Sequence, residues 1–150
     1  MQSPLATAAI STFEALGFLL PDERPSAEQL AAPLPRGARV TFAGPAAGAV
    51  AVRASDDVAA AVAANMLGVD PAALAARPDR DALVRDALGE LANVICGNLL
   101  PALGGRAAVF HLGAPEAVAP GDDASRPAAA VTLGVEEGRA EVTLHVDRAR

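Results

Sequence analysis

The stretch DALGELANVICGNLLPAL, residues 86–103, decides the fold because its residue pattern follows the period of an α-helix. Apolar residues recur three or four positions apart and form one stripe: Val84, Leu88, Leu91, Ile95 and Leu99. A second set, the polar stripe, lies roughly opposite and comprises Asp86, Glu90, Asn93 and Gly97. The sequence therefore predicts a helix, the site helix, that buries one face and exposes the other.

The polar stripe contains one residue without a side chain, Gly97. A glycine inside a helix costs about 1 kcal/mol relative to alanine. We interpret Gly97 as a residue that keeps this part of the helix surface flat and so makes room for another molecule. A third column of small residues, Gly89, Ala92 and Cys96, is suited to the close approach of a neighbouring helix.

The remaining segments predict an α+β fold. Ser3 and Pro4 begin a helix that runs to about Gly17, and a second helix lies between Ser55 and Gly68. The site helix follows Asp79. Predicted strands cover Arg39–Ala43, Ala49–Arg53, Ala107–Leu112, Ala129–Val135 and Arg139–Asp147. Because the strands come as adjacent hairpins, we expect one antiparallel sheet packed on long helices, in the order αββααβββ, as a single domain over residues 1–150.

Two segments are predicted to be irregular. Residues 21–37 contain four prolines, and the sequence indicates no role for them. Residues 116–128 are predicted to form a polar loop in which Asp122 and Asp123 are solvated.

Composition excludes several classes of protein. The net charge of −6 argues against nucleic-acid binding, which requires a basic surface. A single cysteine allows no internal disulfide and fits a reducing compartment. The N-terminal segment lacks a basic region and carries Glu14 in its apolar run, so we do not expect a signal peptide. We also find no run apolar enough to span a bilayer, and we predict a cytoplasmic protein without a membrane partner.

Other reactive residues are interpreted as structural. Cys96 has no nearby histidine that would make it a nucleophile. His111 and His145 lie on separate predicted strands without the spacing of metal ligands, so no metal site is predicted. Asn98 lies at the margin of the buried face, where we expect its side chain to hydrogen-bond a neighbouring backbone group.

The polar stripe closely resembles the ExxN motif of the CheC/CheX/FliY chemotaxis phosphatases, and most closely that of the single-motif CheX group. The matching residues are Glu90 and Asn93, with Asp86 upstream, the Gly97-Asn98 pair downstream and Pro115 beyond the next strand. A bare E-x-x-N is common in helices, but the extended pattern E-L-A-N-x-x-x-G-N is specific. Pro115 lies about one residue from the family's usual spacing.

The resemblance implies a mechanism shared between two proteins. The substrate would be a phosphorylated CheY-like response regulator, which supplies an aspartyl phosphate, its Mg²⁺ and a lysine. Asn93 would orient the attacking water, Glu90 would pair with that lysine, and Asp86 and Gly97 would contact the partner. This chain would bind no cofactor of its own, and all twelve of its basic residues are arginine.

The resemblance also implies a homodimer. The predicted strand Arg139–Asp147 contains no proline, and we expect it to be a free edge that could pair with a second copy.

Two other functions remain open at this point. The chain could be a non-catalytic module of the same fold that binds a response regulator or a flagellar switch protein, or a structural homo-oligomer with an incidental motif. The motor-switch relatives lack the Glu/Asn pair, so the presence of Glu90 and Asn93 favours catalysis.

Overall fold

A computed structural model describes residues 2–120 and 126–147. The helices are α1 (Pro4–Gly17), α2 (Ala27–Ala31), α3 (Asp56–Leu67), α4 (Pro71–Ala75) and α5 (Arg80–Gly104). The strands are β1 (Arg36–Ala43), β2 (Gly48–Ala54), β3 (His111–Leu112), β4 (Glu116–Ala117), β5 (Ala129–Val135) and β6 (Gly138–Val146). The predicted α+β class is confirmed. The predicted order αββααβββ is incomplete, because it lacks α2, α4 and one short strand.

The sheet is antiparallel, with the strand order β3-β1-β2-β6-β5 and with β4 paired to β1 beside β3. Apolar side chains on alternate positions of β1, β2 and β6 meet the helices, as in the buried row formed by Val40, Val50 and Leu144. This alternation buries one face of the sheet in the core that α1, α3 and α5 share.

The prediction that the strand Arg139–Asp147 forms a free edge is wrong. Strand β6 lies between β2 and β5, and Val142 pairs with Val52 on one side and with Val131 on the other. Its backbone groups are therefore already used within the sheet. Strand β5 is the terminal strand on this side of the sheet. The homodimer remains a prediction, but β6 cannot provide the free edge for it.

The segment between α5 and β5 also differs from the prediction. Only His111 and Leu112 of the predicted strand Ala107–Leu112 pair with β1, because the preceding residues form a turn after Gly105, which has a φ of +84°. Strand β4 lies inside the predicted loop 116–128, where Ala117 pairs with Ala38. The acidic pair Asp122-Asp123 lies outside the described residues.

Helix α5 forms the centre of the core. Leu91, Ile95 and Cys96 are fully buried, and the helix contacts β1, α1 and α3. By length and composition α5 could cross a membrane, because its most apolar window has a mean hydropathy of 1.2. The expectation that no run is apolar enough to span a bilayer is therefore wrong. Half of that window is buried inside the fold, which is typical of the core helix of a globular domain.

The proline-rich segment packs along the β5–β6 hairpin. Asp22 exchanges backbone hydrogen bonds with Gly134, and the Gln29 side chain donates a hydrogen bond to the carbonyl oxygen of Glu136 at 3.0 Å. The Arg139 side chain donates in turn to the carbonyl oxygen of Ala32 at 2.9 Å. The segment therefore covers one end of the terminal strand β5.

An ion-pair network joins β1, α3 and the first turn of α5. Arg36 donates to Asp56 at 3.1 Å and to Asp81 at 2.8 Å, and Arg80 donates to Asp56 at 3.0 Å. Partial burial alone raises the pKa of Asp56, but the hydrogen bonds from Arg36 and Arg80 outweigh this effect and lower its pKa. The hydrogen bond from Arg36 lowers the pKa of Asp81. The network therefore fixes the N-terminal end of α5.

We expect the network to make stability depend on pH in the acid range. A carboxyl group whose pKa is lower in the folded state stabilises the fold above its unfolded pKa, and this stabilisation is lost as the pH falls through the folded value. Replacing Arg36 with glutamine should therefore lower Tm at pH 7 and reduce the loss of Tm between about pH 5 and pH 3. Thermal unfolding across this range tests the prediction, with Arg24→Gln as the control. An equal loss of Tm between about pH 5 and pH 3 in the wild type and in Arg36→Gln would contradict the prediction.

Candidate functional site

The polar stripe lies on the exposed face of α5. Asp86, Glu90 and Gly97 are exposed and Asn93 is half-buried, whereas Leu88, Leu91 and Ile95 face the core. At a rise of about 1.5 Å per residue, Glu90 and Asn93 lie roughly 4.5 Å apart along the helix axis. One helix therefore positions a carboxylate and a carboxamide side by side on its outer face.

Glu90 and Asn93 make no side-chain hydrogen bond or ion pair among residues 2–120 and 126–147. Neutral amides can donate and accept at the same time, and carboxylates only accept. Within the described part of the chain, both groups are available to another molecule.

One wall beside Glu90 is formed by Pro115 and strand β4. A Cβ atom added to Gly89 would lie 2.9 Å from the Cβ atom of Pro115, so this glycine allows Pro115 to pack directly on α5. The predicted role of Gly89, close approach of a neighbouring helix, is therefore wrong. The contact instead holds the chain that enters β4 against the site.

A cavity of about 220 Å³ lies between α5 and β4. Its lining combines apolar atoms with charged side chains: Ala38, Arg85, Asp86, Gly89, Glu90, Pro115, Glu116 and Ala117. Glu116 accepts a hydrogen bond from Arg39 at 3.4 Å across the β1–β4 pair. Pro115 could be identified from the sequence, but Glu116 could not, because a two-residue strand gives no periodic signal.

The other side of the polar stripe borders α1. The Asn98 side chain donates to the hydroxyl oxygen of Thr12 at 3.1 Å, and that hydroxyl donates to the carbonyl oxygen of Ala8 at 2.7 Å. The predicted partner of Asn98, a backbone group, is wrong, because the side chain binds another side chain. The bond fixes α5 against α1 five residues beyond Asn93.

The remaining reactive residues lie away from the polar stripe. Cys96 is buried, and desolvation raises the pKa of its thiol to about 11, so it is a poor nucleophile at neutral pH. His111 and His145 both line a shallow depression of about 710 Å³ along β1, β2 and β6. This depression is larger than the cavity between α5 and β4, but neither Glu90 nor Asn93 lines it. Within the described ranges, no three His, Cys, Asp or Glu side chains are grouped as metal ligands.

Comparison with known proteins gives one family and one fold. The family model for the chemotaxis phosphatase CheX matches residues 36–134, which include all of α5 and the Pro115 wall. No curated protein matches the chain.

Solved structures of CheX proteins have the same fold. CheX from Desulfovibrio desulfuricans is 20% identical with a TM-score of 0.70, and the match covers 96% of this chain and 97% of that one. CheX from Vibrio vulnificus is 17% identical with a TM-score of 0.71, over 96% and 94% of the two chains. The CheX–CheY–BeF3–Mg²⁺ complex from Borrelia burgdorferi matches at 18% identity and a TM-score of 0.66, over 97% and 96%.

The family match extends over about two thirds of the chain and includes the helix that carries the ExxN pattern. The resemblance found in the sequence is thereby confirmed, and this chain belongs to the CheX family of chemotaxis phosphatases.

Proposed function

We propose that this protein removes the phosphoryl group from a phosphorylated CheY-like response regulator in the cytoplasm. The proposal rests on the arrangement of Glu90 and Asn93. Neither side chain has a hydrogen-bond or ion-pair partner within the described residues, and the two lie one turn apart on the outer face of a core helix. The complex of a related CheX with CheY, BeF3 and Mg²⁺ supports the choice of partner.

Asn93 would orient the water that attacks phosphorus. Hydrolysis of an acyl phosphate requires a water held in line with the bond that breaks. An amide can hold that water by donating and accepting hydrogen bonds while staying neutral beside the phosphoryl oxygens. A carboxylate at this position would be repelled by their negative charge.

Glu90 would bind a lysine of the regulator and fix the register of the two proteins. This chain has no lysine, and cations are needed against the phosphoryl oxygens. We propose that the regulator supplies both the lysine and the Mg²⁺, so that neither protein alone contains the complete site. Asp86 lies one turn before Glu90 and lines the cavity between α5 and β4. Its side chain would contact the regulator at the opening of that cavity.

The test is the decay of phosphorylated regulator. The CheY-like receiver domains encoded by the same genome are phosphorylated with Mg²⁺ and a small phosphodonor, and loss of the phosphoryl group is followed with substoichiometric protein. We expect at least one receiver to lose its phosphate faster, over several turnovers. Binding without faster decay would instead identify a non-catalytic module of the same fold.

A further inference from the structure

Gly97 and Pro101 leave one backbone carbonyl of α5 without its regular donor. In an α-helix the N–H of residue 101 would donate to the carbonyl oxygen of residue 97, and proline has no N–H. Helix α5 continues through Pro101 to Gly104, and both Gly97 and Pro101 are exposed. The Gly97 carbonyl is therefore a main-chain acceptor on the face that carries Asn93.

Gly97 also differs from the other glycines inside α5. Added Cβ atoms at Gly89 and Gly104 would lie 2.9 Å from Pro115 and 2.8 Å from Phe110, so close contacts within the chain explain both residues. A Cβ atom at Gly97 would meet nothing within 4 Å. Among the described residues, no packing contact requires a glycine at this position.

We propose that the receiver domain packs directly on the α5 main chain at Gly97 and donates a hydrogen bond to its carbonyl oxygen. This inference rests on the proposed function. The Asn93 amide reaches only about 4 Å from the helix backbone, so a partner that meets this group must come close to α5. Gly97 lies roughly 6 Å further along the axis, within the footprint of the same partner.

A glycine at position 97 has one alternative explanation within the chain. Proline inside a helix causes a bend, and a glycine one turn earlier eases it. In that case Gly97→Ala would lower Tm and leave receiver binding unchanged. Our proposal requires the opposite pattern, an unchanged or higher Tm and weaker binding.

The experiment titrates a CheY-like receiver domain of the same genome, held with BeF3⁻ and Mg²⁺ as a stable mimic of its phosphorylated form. Pro101→Ala supplies the missing N–H to Gly97, so we expect a higher Tm and about 3- to 10-fold weaker binding. Gly97→Leu places a bulky side chain on the contact, and we expect more than about 10-fold weaker binding. Pro71→Ala and Ala102→Leu are matched controls at exposed helical positions away from the polar stripe.

The outcomes separate this inference from the proposed function. Wild-type binding that is retained in Pro101→Ala, or in Gly97→Leu, overturns the inference and leaves the phosphatase proposal intact. Equal losses in the variants and their controls also overturn it, because the effect would not be specific to Gly97. If the wild type neither binds nor dephosphorylates any receiver domain, the proposed function fails, and the inference fails with it.

Discussion

Replacing Asn93 with alanine is expected to slow dephosphorylation of the response regulator by on the order of 10²-fold or more, as for other groups positioned at a transition state. The free energy of unfolding should change by no more than about 0.5 kcal/mol, because Asn93 has no side-chain partner within the described residues. A time course of phosphorylated-regulator decay, together with thermal unfolding, measures both quantities.

Asn98→Ala is the matched control for this prediction. It removes the same chemical group from the same helix, but Asn98 is bonded to Thr12. We expect Asn98→Ala to lower stability by about 0.5–1.5 kcal/mol while the folded protein still dephosphorylates the regulator. Unchanged decay with Asn93→Ala would remove Asn93 from the mechanism.

The reversal of charge in Glu90→Lys is expected to weaken docking by more than about 10-fold. It removes one partner of a desolvated ion pair and places a second positive charge beside the regulator's lysine. The affinity for the regulator held with BeF3⁻ and Mg²⁺ is measured by titration at low and moderate salt. Since salt screens charges, the loss should be larger at low ionic strength.

Glu28→Lys is the control for net charge, because it makes the same change on α2, away from α5. We expect Glu28→Lys to bind the regulator nearly as tightly as the wild type does. Undiminished affinity in Glu90→Lys would show that the proposed docking pose is wrong.

The site helix could be predicted from sequence because its information is local. Leu88, Leu91 and Ile95 recur at helical spacing, and that spacing alone determines which face meets the core. The exposure of Glu90 and Gly97 follows directly from the same period. The roles of these exposed residues stay predictions until the variants are measured.

The elements that were mispredicted depend on contacts between distant parts of the chain. Strand β4 is two residues long and exists because Ala117 pairs with Ala38, far away in sequence. The position of β6 inside the sheet depends on both β2 and β5. The contact of Gly89 with Pro115 likewise joins residues that no local pattern connects.

Helix α5 carries both the central core residues and the residues of the proposed site. This limits how a CheX protein can acquire a new partner. Ten of its residues are buried, the ion-pair network holds its first turn, and Asn98 holds its C-terminal half against α1. Tilting α5 toward a different regulator would disturb much of the core at once. Adaptation to another regulator should therefore occur through exposed positions such as Asp86 and Arg85, which line the cavity and have no side-chain partner among the described residues, so that they can change at little cost in folding.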